Sequence, residues 1–477
     1  MEYPAIRIEY ARLYLLPVET RVPLKFGAET LTHVTCARVE LGCHASGTTG
    51  SDSTVHVGWG ETPLNVQWVW PSAIPYVERE HALVAFTRTL LDEWVRVTEA
   101  GHPVDLGHRF LTHTLPVVRE RFNRDERAGA EPLPELAALV CCSPFDLALH
   151  DAYGKAVGKP VYECYGPLDM PHDLSEYFGS TEFAGRYVAD YLRTPAGPGD
   201  PSDPSIPAWH LVGGRDAVEQ GELTGEEPDD GYPVLLEDWI RTDGLRCLKV
   251  KLTGDDAKWD LQRLMQVGRV ARENGVEWLS ADFNCRVTEP AYVNDILDSL
   301  QSQDPETWDS LLYVEQPFPY DLEANRIDVH SVAERKPLFM DESAHDWKIV
   351  RLGYELGWNG VALKTCKTQT GALLSLCWAR QHGMQIMVQD LTNPMLAQIS
   401  HVQLGYYAGT IMGVETNGMQ FYPEASTPEA TVHPGLYRRR DGQVDLSSCL
   451  GLPGFGYRTE DIDRQLPRPE LERRNHG

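Results

Sequence analysis

The sequence predicts an α/β protein: a closed barrel of parallel strands in the second part of the chain, preceded by an α+β region. Two observations carry this. Three apolar runs each end in an acid, Asp282 in WLSADFN, Glu315 in LLYVEQP and Asp341 in PLFMDES, separated by 33 and 26 residues. Lys251 in LKVKL lies upstream of them and Lys364 in GVALKT downstream. A strand of about five residues, a helix of about eleven and two short loops fill such a spacing, so the runs read as successive parallel strands. In a closed parallel barrel the carboxyl ends of all strands face one mouth, which gathers residues distant in sequence. The second observation is length, since 477 residues leave room for a barrel of about 250 residues and a further domain.

Taken in order, residues 5–16, 33–41 and 55–61 alternate or run apolar like strands, with turn signals at Phe26-Gly27 and from Ala45 to Ser53. From about Ile74 to Gly166 the pattern becomes helical, and SPFDLALHDAYGKAVG has a Ser-Pro start and a Gly stop. The Pro-rich stretch from Arg193 to Pro207 and the acidic stretch from Gly221 to Gly231 cannot build a core and read as surface loops. Between them PAWHLVGG is the expected first barrel strand, with DLSEYFG as its rival. From Leu245 onward LRCLKVKL, VEWLSADFN, LLYVEQP, PLFMDES, GVALKT, MQIMVQDLT and IMGVETNGM alternate with helical segments.

The composition, 42% hydrophobic and 24% charged, is that of a soluble globular chain, and no apolar stretch is long enough to cross a bilayer. A formal charge of −27 disfavours nucleic acid and anionic membranes as partners, because both need clustered Lys and Arg. Small anionic substrates stay open, since a bound divalent cation reverses the local field. The ten cysteines lack metal-ligand spacing and read as reduced packing groups. The first sixteen residues interrupt their apolar positions with Arg7, Glu9 and Arg12, unlike a secretory signal, so a cytoplasmic protein is expected.

Three carboxylates together with water and a substrate oxygen suit a hard six-coordinate cation, and Mg²⁺ is the common choice; zinc would recruit His or Cys. A single strand-end acid caps the next helix as readily as it binds a metal, but three in succession after buried strands favour the metal. Lys251 and Lys364 flank the acids in chain order, an arrangement suited to removing a proton from carbon next to a carboxylate. Lys249 lies two residues before Lys251 on the same strand face, where like-charge repulsion lowers a pKa. Asp390 and Glu415 end the last two strands and are candidates for substrate contact. So is His210, although a lone strand histidine is more often structural, and Phe26 is a candidate shield against water.

The ordered set KVK (Lys249, Lys251), DFN (Asp282, Asn284), EQP (Glu315), DES (Asp341, Glu342) and LKT (Lys364) resembles the enolase superfamily, in its muconate lactonizing enzyme-like subgroup. PLKFGAETLTHV and VGWGETPL look like that family's capping domain. The resemblance implies a (β/α)7β TIM-like barrel with an α+β capping domain built from the N-terminal region and the C-terminal tail. Boundaries are expected at 1–170 for the cap with its linker helix, 171–422 for the barrel with a Pro-rich insertion near 193–231, and 423–477 for the segment returning to the cap. It implies one Mg²⁺ per subunit on Asp282, Glu315 and Asp341, and proton transfer by Lys251 and Lys364. Lys249, Asn284, Glu342, Asp390, Glu415, His210 and Phe26 would contact the substrate or support those groups. The expected reaction removes the proton α to a carboxylate of a small acid through a metal-stabilised enediolate, leading to racemisation, epimerisation or β-elimination. Cycloisomerisation, acid-sugar dehydration and a non-catalytic acid-binding barrel are the alternatives, and a homo-oligomer is expected. QDLTNP and ETNGMQ do not match the DxD of the family's dipeptide epimerases, so the pattern leaves the substrate open.

Overall fold

The computed structural model describes residues 3–26, 29–46, 54–193 and 203–475. Strands β1 (Ala5–Phe26), β2 (Glu29–Ser46) and β3 (Val55–Pro63) form an antiparallel sheet that is completed from the far end of the chain by β13 (Leu471–Arg474). β1 outruns the expected strand by ten residues and carries Pro17 and Pro23. The register explains their tolerance: β13 pairs with Tyr10 to Leu13, so beyond Leu13 one edge of β1 has no ladder partner among the described residues that a proline could disrupt. The expected turns at Phe26-Gly27 and Ala45–Ser53 fall largely on residues outside those described.

The helix Glu135–Val157 is buried along most of its length and packs on β3. It begins eight residues before the Ser-Pro start that the local pattern predicts, with Pro144 in its interior, and ends as expected at Gly158, whose φ of 69° suits a residue without a side chain. Tertiary packing overrides the proline here. Gly58 and Gly60 on β3 lie so close that a Cβ would come within 2.0 Å of the Ala148 carbonyl and 2.1 Å of the Pro144 carbonyl.

The barrel sheet contains β4 (Ser205–Val212), β5 (Cys247–Lys251), β6 (Trp278–Asp282), β7 (Leu311–Glu315), β8 (Leu338–Met340), β9 (Gly360–Leu363), β10 (Gln385–Val388) and β11 (Val414–Glu415). Its order is β10-β9-β8-β7-β6-β5-β4-β11, with parallel pairing throughout and helices between successive strands. The curled sheet nearly meets itself, where the Ile411 N–H donates to the Ile386 carbonyl at 2.9 Å. PAWHLVGG is thus the first barrel strand, while its rival DLSEYFG forms the short helix Leu174–Phe178. Inside, Trp209, Cys247, Tyr313, Phe339 and Met387 pack as a separate apolar cluster, the filled interior of a barrel.

The C-terminal segment serves both halves. β12 (Gln443–Asp445) pairs antiparallel with β4, and β13 then joins the cap. Ahead of β12, Glu429 binds Arg38 of β2 and also Arg464, which lies between β12 and β13, a buried ion network that ties the cap to the tail. All ten cysteines are unpaired. Among the described residues no helix is long and apolar enough to cross a membrane.

Candidate active site

Residues on alternate positions of a strand share a face, and the inward set on β5 is Cys247, Lys249 and Lys251. Parallel pairing places Lys251 beside Asp282 and Asp282 beside Glu315 on three adjacent strands, with Asp341 just beyond β8 and Lys364 just beyond β9. The five groups expected from chain order therefore stand in one row at the carboxyl ends of the strands.

A pocket opens over this row. It is lined by Lys249, Lys251, Asp341, Lys364, Asp390 and Glu415 from the barrel strands, by Leu211, Leu391 and Thr392, and by Leu24, Asn65 and Trp68 from the cap. Lys251 pairs with Asp282 and donates to the Asn284 side-chain carbonyl at 3.1 Å. Asn284 sits at φ 52°, which turns the chain sharply after β6, and its own N–H donates to Asp282 at 2.9 Å. Lys364 lies 3.2 Å from Asp341 and donates to the Asp390 carbonyl at 2.9 Å. Lys249 lies among Glu315 at 2.6 Å, Glu415 at 3.1 Å and Asp282 at 3.3 Å.

This last placement changes the reading of Lys249. Burial works against its charge, but Glu315, Glu415 and Asp282 outweigh burial and hold its pKa well above the ordinary value. Its ammonium is engaged by carboxylates rather than set against Lys251. Burial likewise opposes the charge of Lys364, and Asp341 more than restores it. Burial disfavours the charged forms of Asp282 and Asp341 too, yet the lysines beside them pull both below the usual carboxylate range.

The surplus charge falls elsewhere. Asp282, Glu315, Asp341, Glu342, Asp390 and Glu415 outnumber the ammonium groups of Lys249, Lys251, Lys364 and Lys367 by two. Burial together with neighbouring carboxylates pushes Glu315 well up and Glu342 to about 7, and burial raises Asp390. A bound cation would draw these raised carboxyl groups back toward their ionised forms. Asp341 Oδ1 is buried, has no hydrogen-bond partner and lies 3.6 Å from the Lys367 ammonium, so it is the carboxylate oxygen least engaged by hydrogen bonds. Among the described residues, however, no three His, Cys, Asp or Glu side chains converge as a chelating group, because lysine ammonium groups stand between the carboxylates. Charge and donor type fit a hard cation such as Mg²⁺.

The other sequence candidates divide. Asp390 accepts from the Asn417 and Asn393 N–H groups at 2.8 and 3.2 Å, and Glu415 from the Asn417 side chain at 2.6 Å. Glu342 accepts from the Trp68 indole at 2.9 Å. His210 needs correction as a substrate contact: it falls between the inward Trp209 and Leu211, faces the outer layer, accepts from Arg439 at 3.0 Å and packs against Trp239. Phe26 ends β1, but its side chain lies outside the described residues. Sequence reasoning missed Trp68 and Asn65, which reach the pocket from the cap, and Gln389, whose amide donates to Tyr313 at 3.2 Å and also to Glu315. Lys367, which the sequence pattern did not single out, is buried and donates to the carbonyls of Asp341 and Ala344. The tryptophan-rich run NVQWVW after β3 was the available signal for Trp68.

Comparison with known proteins agrees with this architecture. Residues 233–461 match the family model described as enolase C-terminal domain-like. No curated protein matches the chain. Among solved structures, the N-succinyl Arg/Lys racemase of Bacillus cereus ATCC 14579 is 15% identical with a TM-score of 0.60, over 98% of this chain and 99% of that one. The muconate lactonizing enzyme of Pseudomonas fluorescens, complexed with muconolactone, is 14% identical with a TM-score of 0.58, over 94% of this chain and 96% of that one. The dipeptide epimerase of Cytophaga hutchinsonii, complexed with Mg and D-Ala-L-Val, is 16% identical with a TM-score of 0.59, over 94% of this chain and 95% of that one. At such identities the likeness is one of fold. Residues 233–461 thus match the enolase C-terminal domain-like family model, and the chain as a whole has the cap-and-barrel fold of these solved structures.

Proposed function

We propose that the protein is an enzyme that binds a small carboxylic acid at the barrel mouth and moves the proton on the carbon next to its carboxylate. The observation that supports this most directly is that Lys251 and Lys364 enter one pocket from opposite ends of the row Asp282, Glu315 and Asp341. Asp282, Glu315 and Asp341 would hold one Mg²⁺, which when bound supplies positive charge against the charge that develops on the substrate carboxylate. Lys251 and Lys364 take and return the proton at their Nζ atoms, one on each face of the substrate carbon. Asn284 aims Lys251, and the Asp390 carbonyl aims Lys364. Lys249 offsets the charge of Glu315 and Glu415 so that both stay at the pocket floor. Leu24, Leu211 and Trp68 shield the reacting carbon from water.

Return of the proton gives racemisation or epimerisation, loss of a β-substituent gives elimination, and internal addition of a carboxylate oxygen across a double bond, with a lysine proton delivered to the α-carbon, gives cycloisomerisation. The test is incubation in D₂O with Mg²⁺ and a panel of N-acyl amino acids, dipeptides, sugar acids and hydroxyproline-like acids, followed by mass spectrometry. Incorporation of α-deuterium into an acid supports the reading, and the product identifies the outcome. Binding of an acid with no exchange or conversion would favour the non-catalytic barrel. A cytoplasmic homo-oligomer completes the proposal, with light scattering as the check on assembly.

A further inference from the structure

We infer that Trp68 is a positioning residue: the cap uses its indole to fix the Lys364 ammonium and to wall the pocket on that side. The inference rests on the proton-transfer reading for the role of Lys364, but the geometry is independent of it. The indole ring centre lies 5.0 Å from Lys364 Nζ and 5.7 Å from Lys367 Nζ, within range of a cation–π contact. Its N–H donates to Glu342 Oε1 at 2.9 Å, which locks the plane of the ring against the barrel. Trp68 is 8% exposed, so this contact is largely desolvated, where an ammonium–indole pair is strongest.

The cap holds the ring from both ends. Asn65 caps the short helix Val66–Val69 by accepting from the Trp68 N–H at 3.1 Å. At the other end Arg79 donates to the Trp70 carbonyl, the Trp70 indole donates to Glu131 at 2.6 Å, and Arg127 covers the Trp70 ring. A ring held this way cannot swing off Lys364 without moving the cap. Among the described residues Lys364 therefore has three kinds of support, from Asp341, the Asp390 carbonyl and the indole face, and the third comes from outside the barrel. Lys251 is steadied by Asn284, a residue of the barrel itself. Among the described residues the indole covers Lys364 and Lys367 and not Lys251, so removing Trp68 should disturb Lys364 and spare Lys251.

The experiment uses the full-length Trp68→Phe and Trp68→Leu variants with two readouts. Brief acetylation by an N-hydroxysuccinimide ester, followed by peptide mass spectrometry, measures the labelling of Lys364 and Lys251 against the exposed Lys258. Loss of an indole–ammonium contact is worth on the order of tenfold, so Trp68→Leu should label Lys364 about tenfold faster, Trp68→Phe less, and Lys251 at the wild-type rate in both. In D₂O, α-proton exchange should fall on the stereoisomer served by Lys364, recover partly in Trp68→Phe, and hold steady on the other. Equal acceleration at Lys251 and Lys364 would mean general loosening and would overturn the inference, as would unchanged Lys364 labelling in a folded variant. If Trp68→Leu does not fold, Trp68→Phe decides by the same comparisons. If the wild type exchanges no acid in the panel, the proton-transfer reading fails while the labelling still judges Trp68.

Discussion

The barrel rim and the cap reach the same pocket by different routes. On the rim, Lys251, Asp282 and Glu315 are brought together by parallel register alone, because every strand delivers its last residue to the same end. On the cap, Trp68 and Asn65 arrive through a four-residue helix held by its own cap and by contacts of Trp70 with two other segments, at Arg79 and at Arg127. A site assembled by register keeps its parts even when sequences diverge, while a wall assembled by packing can be rebuilt. Under the proposed function, the rim supplies the proton-transfer groups and the cap supplies the wall beside them.

The sharpest way to break that division is at the two lysines. A positioned acid or base contributes about 10² to 10⁴ in rate, so Lys251→Ala and Lys364→Ala should each lose turnover on that order. Each should still exchange the α-proton of the stereoisomer that faces the surviving lysine. If both variants exchange the same stereoisomer, or if Lys364→Ala keeps full turnover, a one-base elimination becomes the better account.

A smaller effect is expected at Glu315, in the middle of the row. Saturating Mg²⁺ at about a hundred times its dissociation constant should stabilise the wild type by about 2.7 kcal/mol, and Glu315→Gln should abolish that gain. Thermal melts with and without Mg²⁺ measure it, and equal shifts in the two proteins would remove Glu315 from the ligand set.

The smallest effect is expected away from the pocket. Arg21 on β1 donates to Asp230 at 2.6 and 2.8 Å and to the carbonyls of Tyr232 and Pro233, pinning the segment after β4 to the cap. Arg21→Ala should cost about 1 kcal/mol or less, since one partner is partly exposed. Amide exchange should accelerate in residues 213–234 and leave the rim untouched. Faster exchange at β5 to β7 would show that cap and rim are one cooperative unit rather than two.

Much of the rim was readable before any coordinates, and for a physical reason. A buried parallel strand needs a continuous apolar run, and the charged residue that ends such a run stands out against it, as at Asp282, Glu315 and Asp341. The chain order of Lys251, the three acids and Lys364 was enough to predict that they share a mouth. Helix boundaries were less legible: the helix Glu135–Val157 runs through Pro144 because burial against β3 outweighs the local signal.

The sequence by itself determined the strand-and-helix period, the order of the charged strand ends and the excess of negative charge, all of which are local or additive properties. Only the tertiary structure decided the rest. Which face of β4 points inward turned His210 outward onto Arg439 and Trp239, because a period of two leaves the choice of face to the packing around it. The meeting of Trp68 with Glu342 and Lys364 joins residues 274 and 296 positions apart, and Lys367, beyond β9, turns back to the Asp341 carbonyl at the end of the neighbouring β8. No local pattern encodes such contacts, since they follow from how the cap packs on the barrel and how neighbouring strands register.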